Sequence, residues 1–319
     1  MADFELVTAS DVTLMQGLAQ RVTRIRPELV NTDATFGELA WVWGHERAEQ
    51  GDSWVRRMWR VGDELVAWAW CILPHQVTRS DGSVSDVTHA YLAYQVHPEH
   101  AELVDEVIDW FESAAPDTDR SVIPRAADEY GLARWVAHGY VTNPSSEGDK
   151  GFWTQLNERE LIDLPQPVLP AGFRFRTAEQ VDAHDVVQAH IDAWHPSRYT
   201  AQAYEDVRTT ATYRPDLHVL VEGPNGVMVA SAIMWLDEAN QTAEFEPVGT
   251  HRDYRRRGLS SSMLWHGMHL AHDAGATHMT VACLGSPGYP AAKGLYDSVG
   301  FREFTRDAPL LKHAAPIGE

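Results

Sequence analysis

The stretch Val248-Gly249-Thr250-His251-Arg252-Asp253-Tyr254-Arg255-Arg256-Arg257-Gly258-Leu259-Ser260-Ser261 runs an extended segment into an apolar helix through an arginine-rich turn that ends on a glycine. A strand and a helix that meet in this way leave the first N–H groups of the helix pointing into the turn. The macrodipole adds partial positive charge there, and Gly258 lets a ligand come close to the backbone. The junction is therefore a cradle for an anion, and a phosphate fits it. A charged turn that merely happens to precede a helix is the competing reading, and the order of the surrounding elements decides between the two.

A strand precedes the turn (Thr242 to Val248) and a helix follows it (Ser261 to Ala274). Then come another strand (His278 to Leu284), a short helix (Pro290 to Val299) and Gly300-Phe301. Here the chain resembles the GCN5-related N-acetyltransferase (GNAT) family, whose phosphate signature is [Arg/Gln]-x-x-Gly-x-[Gly/Ala]. Arg255, Gly258 and Ser260 stand at its three fixed places, Ser260 departing from the usual Gly or Ala. The segment Leu295-Tyr296-Asp297-Ser298-Val299-Gly300-Phe301 resembles the family's closing Leu-Tyr-x-x-x-Gly-Phe. The resemblance extends over roughly residues 172 to 312 and implies binding of acetyl-CoA or a related acyl-CoA, with no metal.

At 319 residues the chain has room for two domains. Its 44% hydrophobic and 23% charged residues are those of a folded soluble protein. No run of about 18 apolar residues is present, and Met1-Ala2-Asp3-Phe4-Glu5 lacks the pattern of a signal peptide, so no membrane partner is expected. Cys71 and Cys283 each lie in an apolar run and read as buried thiols of a reducing, cytoplasmic setting. The net charge of −20 is uneven: residues 1 to 165 hold 13 Lys+Arg against 28 Asp+Glu, residues 166 to 319 hold 13 against 18. Such a surface argues against nucleic acid as a partner, and it either attracts a cationic amine or simply keeps the protein in solution. Within the second half Arg252, Arg255, Arg256 and Arg257 form one dense basic cluster, which suits a polyphosphate.

The segment Leu161 to Ala171 carries three prolines and no amphipathic period, and reads as a linker between residues 1–160 and 172–319. The same order of elements stands on both sides of it. A hairpin around Gly62-Asp63 answers one around Gly223-Pro224-Asn225-Gly226, Thr88 to Val96 answers Thr242 to Val248, and Tyr130 to Tyr140 answers Leu295 to Phe301. Where the second half has Arg255 to Ser260, the first has His97-Pro98-Glu99-His100-Ala101-Glu102, with no glycine and two carboxylates. Carboxylates repel a pyrophosphate at a helix N-terminus. The expected fold is α/β: two tandem GNAT-like domains, each a mixed, mostly antiparallel sheet flanked by helices. The first is degenerate and without cofactor; the second is catalytic.

Acyl transfer to an amine needs a donor to the carbonyl oxygen, a base for the amine and an acid for the departing thiolate. The resemblance implies that the strand Glu244 to Thr250 splays at a bulge and that Val248, Gly249 and Thr250 line the pantetheine arm, with Arg255, Arg256, Arg257, Gly258, Leu259, Ser260 and Ser261 around the pyrophosphate. Alternation puts Glu244 and Glu246 on one face, opposite Phe245. By position Glu244 is the first choice for the base and Glu246 the second, against the alternative that both decorate a solvent-facing strand. Tyr296 matches the tyrosine that many family members place near the sulfur, against a plain core role on an amphipathic helix. The asparagine that often opens this helix is replaced by Gly288-Tyr289-Pro290. His266, His269 and His272 spread around a helix and read as packing or surface residues, not metal ligands. Trp194 and Tyr199, and the tryptophans of the first half, read as core before substrate contacts.

Two functions follow: an N-acetyltransferase acting on a small, cationic amine, or a non-catalytic acyl-CoA-binding sensor or scaffold. The tandem layout with one degenerate half resembles mycothiol synthase, and an antibiotic-like amine is equally compatible with the charge. Oligomeric state is not legible in the chain.

Overall fold

The computed structural model describes residues 6–148 and 151–314. The first half runs α1 (Ala9–Ile25), α2 (Phe36–Gln50), β1 (Trp54–Val61), β2 (Glu64–Ile72), β3 (His75–Thr78), β4 (Val84–Val87), β5 (Ala90–Val96), α3 (Val104–Ala114), β6 (Arg120–Val122), α4 (Glu129–Ala137), β7 (Val141–Thr142) and β8 (Thr154–Glu160). After the proline-rich segment come β9 (Arg174–Thr177), α5 (Ala183–Ala193), α6 (Ala201–Thr209), β10 (His218–Glu222), β11 (Met228–Asp237), β12 (Thr242–Thr250), α7 (Leu259–Asp273), β13 (His278–Leu284), α8 (Pro290–Ser298), β14 (Arg302–Arg306) and β15 (Leu310–Lys312). Local chemistry sets several of these bounds. Thr8 and Asp11 close a capping box at the start of α1, and Gly62, at φ +60°, turns β1 into β2.

Residues alternate along β2 so that Ala67, Ala69 and Cys71 face the core of α3 and α4, while Trp68 and Trp70 face that of α1 and α2. In β11, Ala230, Ala232, Met234 and Leu236 pack beneath α7, and Ile233 and Trp235 pack beneath α2, α5 and α6. Both faces of each strand are covered, which is why these strands read as unbroken apolar runs. Helix α2 is shared: Leu39 and Trp43 enter the first half's core, Ala40 and Trp41 the second's. Gly44 makes the contact with α6 possible, since a Cβ there would lie 2.7 Å from Val207. Trp54, Trp68, Trp70, Trp110 and Trp135 are fully buried, so packing accounts for much of the first half's tryptophan content.

The two sheets exchange strands. The first has the order β1-β2-β5-β6-β15-β7 and the second β14-β8-β13-β12-β11-β10-β9. Thus β8, which precedes the proline-rich segment, lies between β13 and β14, and β15 from the end of the chain lies between β6 and β7. The division of the sequence at 161–171 does not follow the sheets: residues 154–160 belong to the second and 310–312 to the first. Alternating apolar residues satisfy either sheet equally, so composition cannot show which one a strand joins.

An ion pair locks the exchange. Arg125 and Asp307 meet at 2.8 Å with both side chains fully buried, and the Thr32 hydroxyl donates to the second Asp307 oxygen at 2.7 Å. Burial pushes Asp307 up to about 6 while Arg125 pulls it down, so the carboxylate stays charged at neutral pH. Asp307→Ala leaves a buried guanidinium unanswered and is expected to cost about 3–5 kcal/mol, read as a lower midpoint in urea unfolding.

Candidate active site

Strand β12 is antiparallel to β11, but its register slips: Met234 opposes Phe245, whereas Ala232 opposes Val248. Glu246 and Pro247 fill this bulge against the single residue Ile233. On the other edge, β12 runs parallel to β13 only from Thr242 to Phe245, opposite His278 to Val281. From Ala282 to Leu284, β13 continues with β8 alone. Val248, Gly249 and Thr250 therefore part from β13 and present an open strand edge. Proline, which has no N–H to pair, stands where the two strands separate.

Beyond Thr250 the His251 side chain caps a short turn by accepting the Asp253 N–H at 3.1 Å. Arg256 and Gly258 both have positive φ, +62° and +77°, and α7 begins at Leu259. The first backbone bond of the new helix is Ser262 N–H to Gly258 O at 3.1 Å. The N–H groups of residues 256–261 find no acceptor among the described residues. Left-handed residues in such a row turn successive N–H groups into a concave nest. A Cβ placed on Gly258 would have nothing within 4 Å, so there is room for a ligand against the backbone. These features suit a pyrophosphate.

The motif side chains divide into braces and exposed cations. Arg255 is a brace although it is exposed, donating from Nε to Thr250 O at 3.0 Å and from its terminal nitrogen to Ala193 O at 2.9 Å. It pins the end of α5 to the end of β12. The Ser260 hydroxyl, at the place where the motif differs from the family, bonds the Thr250 hydroxyl at 2.7 Å. Arg256 and Arg257 are exposed, the latter stacked over the Tyr254 ring at 5.0 Å. Leu259 is buried beneath the turn in the core under β11. The Trp194 ring covers Gly249 so closely that a Cβ there would lie 2.1 Å from it.

Neither glutamate of β12 lies on a solvent-facing surface. Glu244 is buried and both of its oxygens are occupied: the Thr35 hydroxyl donates at 2.6 Å and the Gly37 N–H at 2.8 Å, at the start of α2. Burial raises its pKa to about 7 against the pull of those bonds. Glu246 is half-buried, and its carboxylate makes no hydrogen bond or ion pair with a described residue. Burial, reinforced by the charge on Glu244, pushes it up to about 8. Tyr296 is 6% exposed, its hydroxyl makes no hydrogen bond with a described residue, and Glu246 is the strongest charge acting on it. Burial and that charge hold the phenol protonated far above its ordinary range. Its ring also packs edge-on against Phe301, 5.9 Å away.

Sequence reasoning singled out no carboxylate of the first half for the site. Burial, reinforced by the charges of Glu246, Asp33 and Glu244, raises Glu38 of α2 well above the carboxylate range. Farther along the same helix, Trp41 meets His190 at 5.4 Å and Tyr199 at 5.5 Å. His190 stacks on Trp194 at 4.2 Å, and so this row of rings reaches back to Gly249. His266 instead stacks on Phe175 at 4.2 Å. Among the described residues no group of His, Cys, Asp and Glu gathers to hold a metal. Cys71 and Cys283 are buried free thiols. No helix among the described residues is long and apolar enough to cross a membrane.

In the first half the corresponding turn is built differently. His97 Nδ1 accepts the Glu99 N–H at 3.3 Å, and Pro98–Leu103 forms a tight helical turn with no left-handed residue. Beneath it β5 parts from β6 after Leu92, leaving a cavity of about 520 Å³ lined by Asn31, Tyr94, His97, Ala101 and Asp128. A second cavity, of about 540 Å³, lies at the opposite end of β12 and includes Glu244, Trp235 and Thr280. Neither contains the nest, which opens on the surface.

No curated protein matches this sequence. Residues 183–301 match the acetyltransferase (GNAT) family. The whole chain is similar in fold to a GCN5-related N-acetyltransferase from Sphaerobacter thermophilus, with a TM-score of 0.60 at 18% identity, covering 98% of this chain and 96% of that one. It is likewise similar to a tandem GNAT protein from the clavulanic acid biosynthesis pathway, with a TM-score of 0.64 at 13% identity and 99% of each chain covered. At such identities the likeness shows the architecture, two GNAT-like folds in tandem, and fold alone does not name a substrate. The phosphate turn and the parted strands thus lie inside the segment, residues 183–301, that matches the acetyltransferase (GNAT) family.

Proposed function

We propose that the second half transfers the acyl group of acetyl-CoA, or a related acyl-CoA, to the primary amine of a small cationic metabolite. The observation that carries this reading is the parting of β12 from β13 immediately before a nest of outward N–H groups. The N–H groups of residues 256–261 would hold the pyrophosphate, with charge added by Arg256 and Arg257. The open edge of Val248, Gly249 and Thr250 would hold the amides of the pantetheine arm as an added strand. Bound there, acyl-CoA supplies an activated carbonyl and a thiolate leaving group.

The remaining work falls to the protein's own side chains. Glu246 accepts the proton that the amine must lose, directly or through water. It is preferred to Glu244, whose oxygens are committed to α2. The Tyr296 hydroxyl donates a proton to the departing sulfur. Main-chain N–H groups on the open edge of β12 stabilise charge on the carbonyl oxygen. The acidic surface concentrates a cationic acceptor. The first half binds no acyl-CoA, because its turn lacks left-handed residues and carries carboxylates.

The reading is tested by following thiol release from acetyl-CoA against a panel of amines. Silence across the panel with acyl-CoA binding intact would sink it in favour of a sensor. Gly258→Glu introduces a charge into the nest and a side chain at positive φ, and is expected to weaken acyl-CoA binding about a hundredfold or more in titration calorimetry. Ala101→Glu, at the matching place in the first half, is expected to leave that affinity unchanged. Equal losses would overturn the assignment of the site to one half.

A further inference from the structure

The first half repeats the parted strands of the second but covers the edge they leave. Strand β5 pairs with β6 only from Ala90 to Leu92, as β12 pairs with β13 only as far as Phe245. Beyond Leu92 the segment that leads to α2 folds over β5. Asn31 donates from Nδ2 to Tyr94 O at 2.7 Å, its N–H donates to Gln95 Oε1 at 3.0 Å, and Gln95 Nε2 donates to Leu29 O at 3.1 Å. An extended arm laid along β5 would have to displace Asn31, and the turn at its end has no nest for a phosphate. What remains is the cavity of about 520 Å³ between the end of β5 and the start of α4, a volume usual for small-molecule sites.

The polar groups that line it are only half used. Asn31 is 6% exposed, and with its amide nitrogen given to Tyr94 its side-chain oxygen meets no donor among the described residues. Asp128 is half-buried and caps α4: one carboxylate oxygen accepts the Gly131 N–H at 2.9 Å, and the other accepts nothing from a described residue. Burial raises this carboxyl above its ordinary value; Arg26 at the mouth pulls the other way but gives its Nε to Glu28. Burial also lowers His97, so that ring adds no positive charge at neutral pH. The walls are tied together, because Trp135 Nε1 of α4 donates to the Tyr94 hydroxyl of β5 at 3.0 Å. A desolvated carboxylate and an amide oxygen with nothing to accept call for N–H donors, and a carboxylate without an ion-pair partner calls for a charged one. Leu29, Val96 and Val104 supply an apolar wall beside them, and Tyr130 an aromatic ring.

We propose that this cavity is a second binding site, separate from the acyl-CoA nest, for a small primary ammonium ion with a short apolar body and no phosphate. The ammonium meets Asp128 and the Asn31 side-chain oxygen, and the apolar body lies against Leu29, Val96 and Val104. The first half has on this view exchanged a cofactor site for an amine site, whatever the second half transfers.

Titration calorimetry on the full chain, with 2-phenylethan-1-amine and its neutral counterpart 2-phenylethan-1-ol as probes, tests the site. The wild type is expected to bind the amine about tenfold or more tighter than the alcohol. Asp128→Asn is expected to lose most of that preference and to keep its affinity for acyl-CoA. Asparagine caps a helix as well as aspartate does, so the thermal unfolding midpoint of this variant should not fall. Ala101→Phe narrows the cavity without touching the cap and should weaken both probes, which tests the site independently of Asp128. Amide hydrogen exchange locates the amine: protection should rise in α4 and not in β12 or α7. Equal affinity for amine and alcohol in the wild type, an unchanged preference in Asp128→Asn, undiminished binding in Ala101→Phe, or protection confined to the second half would each overturn the proposal.

Discussion

Glu246→Gln is expected to lower kcat by about a hundredfold to ten-thousandfold, the usual contribution of a positioned base. The amide occupies the same volume beside Tyr296 but cannot take a proton. Because burial and the charge on Glu244 hold Glu246 protonated up to about pH 8, the wild-type kcat/KM should rise with pH through that value. Acid therefore inhibits, and the limb should be absent in the variant. The charges of Glu244 and Glu38 are coupled to that of Glu246, so the limb belongs to the cluster and should be broader than a single titration. Stability moves the other way. The folded pKa of Glu246 lies above its unfolded value, so the stabilisation it gives is complete at low pH and is lost as the pH rises toward 8. Glu246→Gln should accordingly not lower the unfolding midpoint at alkaline pH. Glu244→Gln gives the contrast: its NH2 group would replace one of the two acceptor oxygens and face either the Thr35 hydroxyl or the Gly37 N–H, costing about 1–3 kcal/mol of stability. If Glu244→Gln removed the pH limb and Glu246→Gln did not, the roles assigned to the two would be reversed.

What was legible in the chain was what is local. The phosphate turn depends on Arg255, Gly258 and the helix directly after them, all within one short window, and the hairpin at Gly62 declares itself by a glycine between two apolar runs. The choice between Glu244 and Glu246 was not legible. Alternation puts both near the cleft, but what separates them is a pair of donors at Thr35 and Gly37, more than two hundred residues away in the chain. Glu38 was hidden for a different reason. Its place in Thr35-Phe36-Gly37-Glu38, the pattern of a capping box, gives a complete local explanation for a glutamate there, and only the fold shows that the carboxylate declines the contact. Arg255 carried the motif yet braces the turn through Thr250 and Ala193, a role that spacing alone cannot distinguish from ligand contact.

A chain that ends at Pro309 is expected to lose the cooperative fold of its first half. The missing β15 aligns Leu310, Leu311 and Lys312 with Val122, Ser121 and Arg120 of β6, and Leu310 and Leu311 with Thr142 and Val141 of β7. Leu310 is buried in the first half's core, which alone is worth roughly 1.5–3 kcal/mol. Each ladder hydrogen bond adds about 1 kcal/mol. The Lys312 ammonium bonds Glu112 at 2.6 Å and the His138 carbonyl at 2.7 Å, joining α3 to the end of α4. The sum is several kcal/mol, comparable with the whole stability of a domain at about 5–15 kcal/mol. Amide hydrogen exchange should therefore show protection lost in β6, β7 and α4 first, then across β1, β2 and β5, while β11, β12 and β13 stay protected. An unchanged exchange pattern and unfolding midpoint would show that β15 is dispensable. The complementary cut is more severe, because β8 lies inside the second sheet: residues 172–319 alone would separate β14 from β13 with nothing between them. Tandem halves that read as separable in the chain are thus bound into one folding unit by two exchanged strands and the Arg125–Asp307 pair. That coupling also holds the start of α2 against β12, where Thr35 and Gly37 meet Glu244.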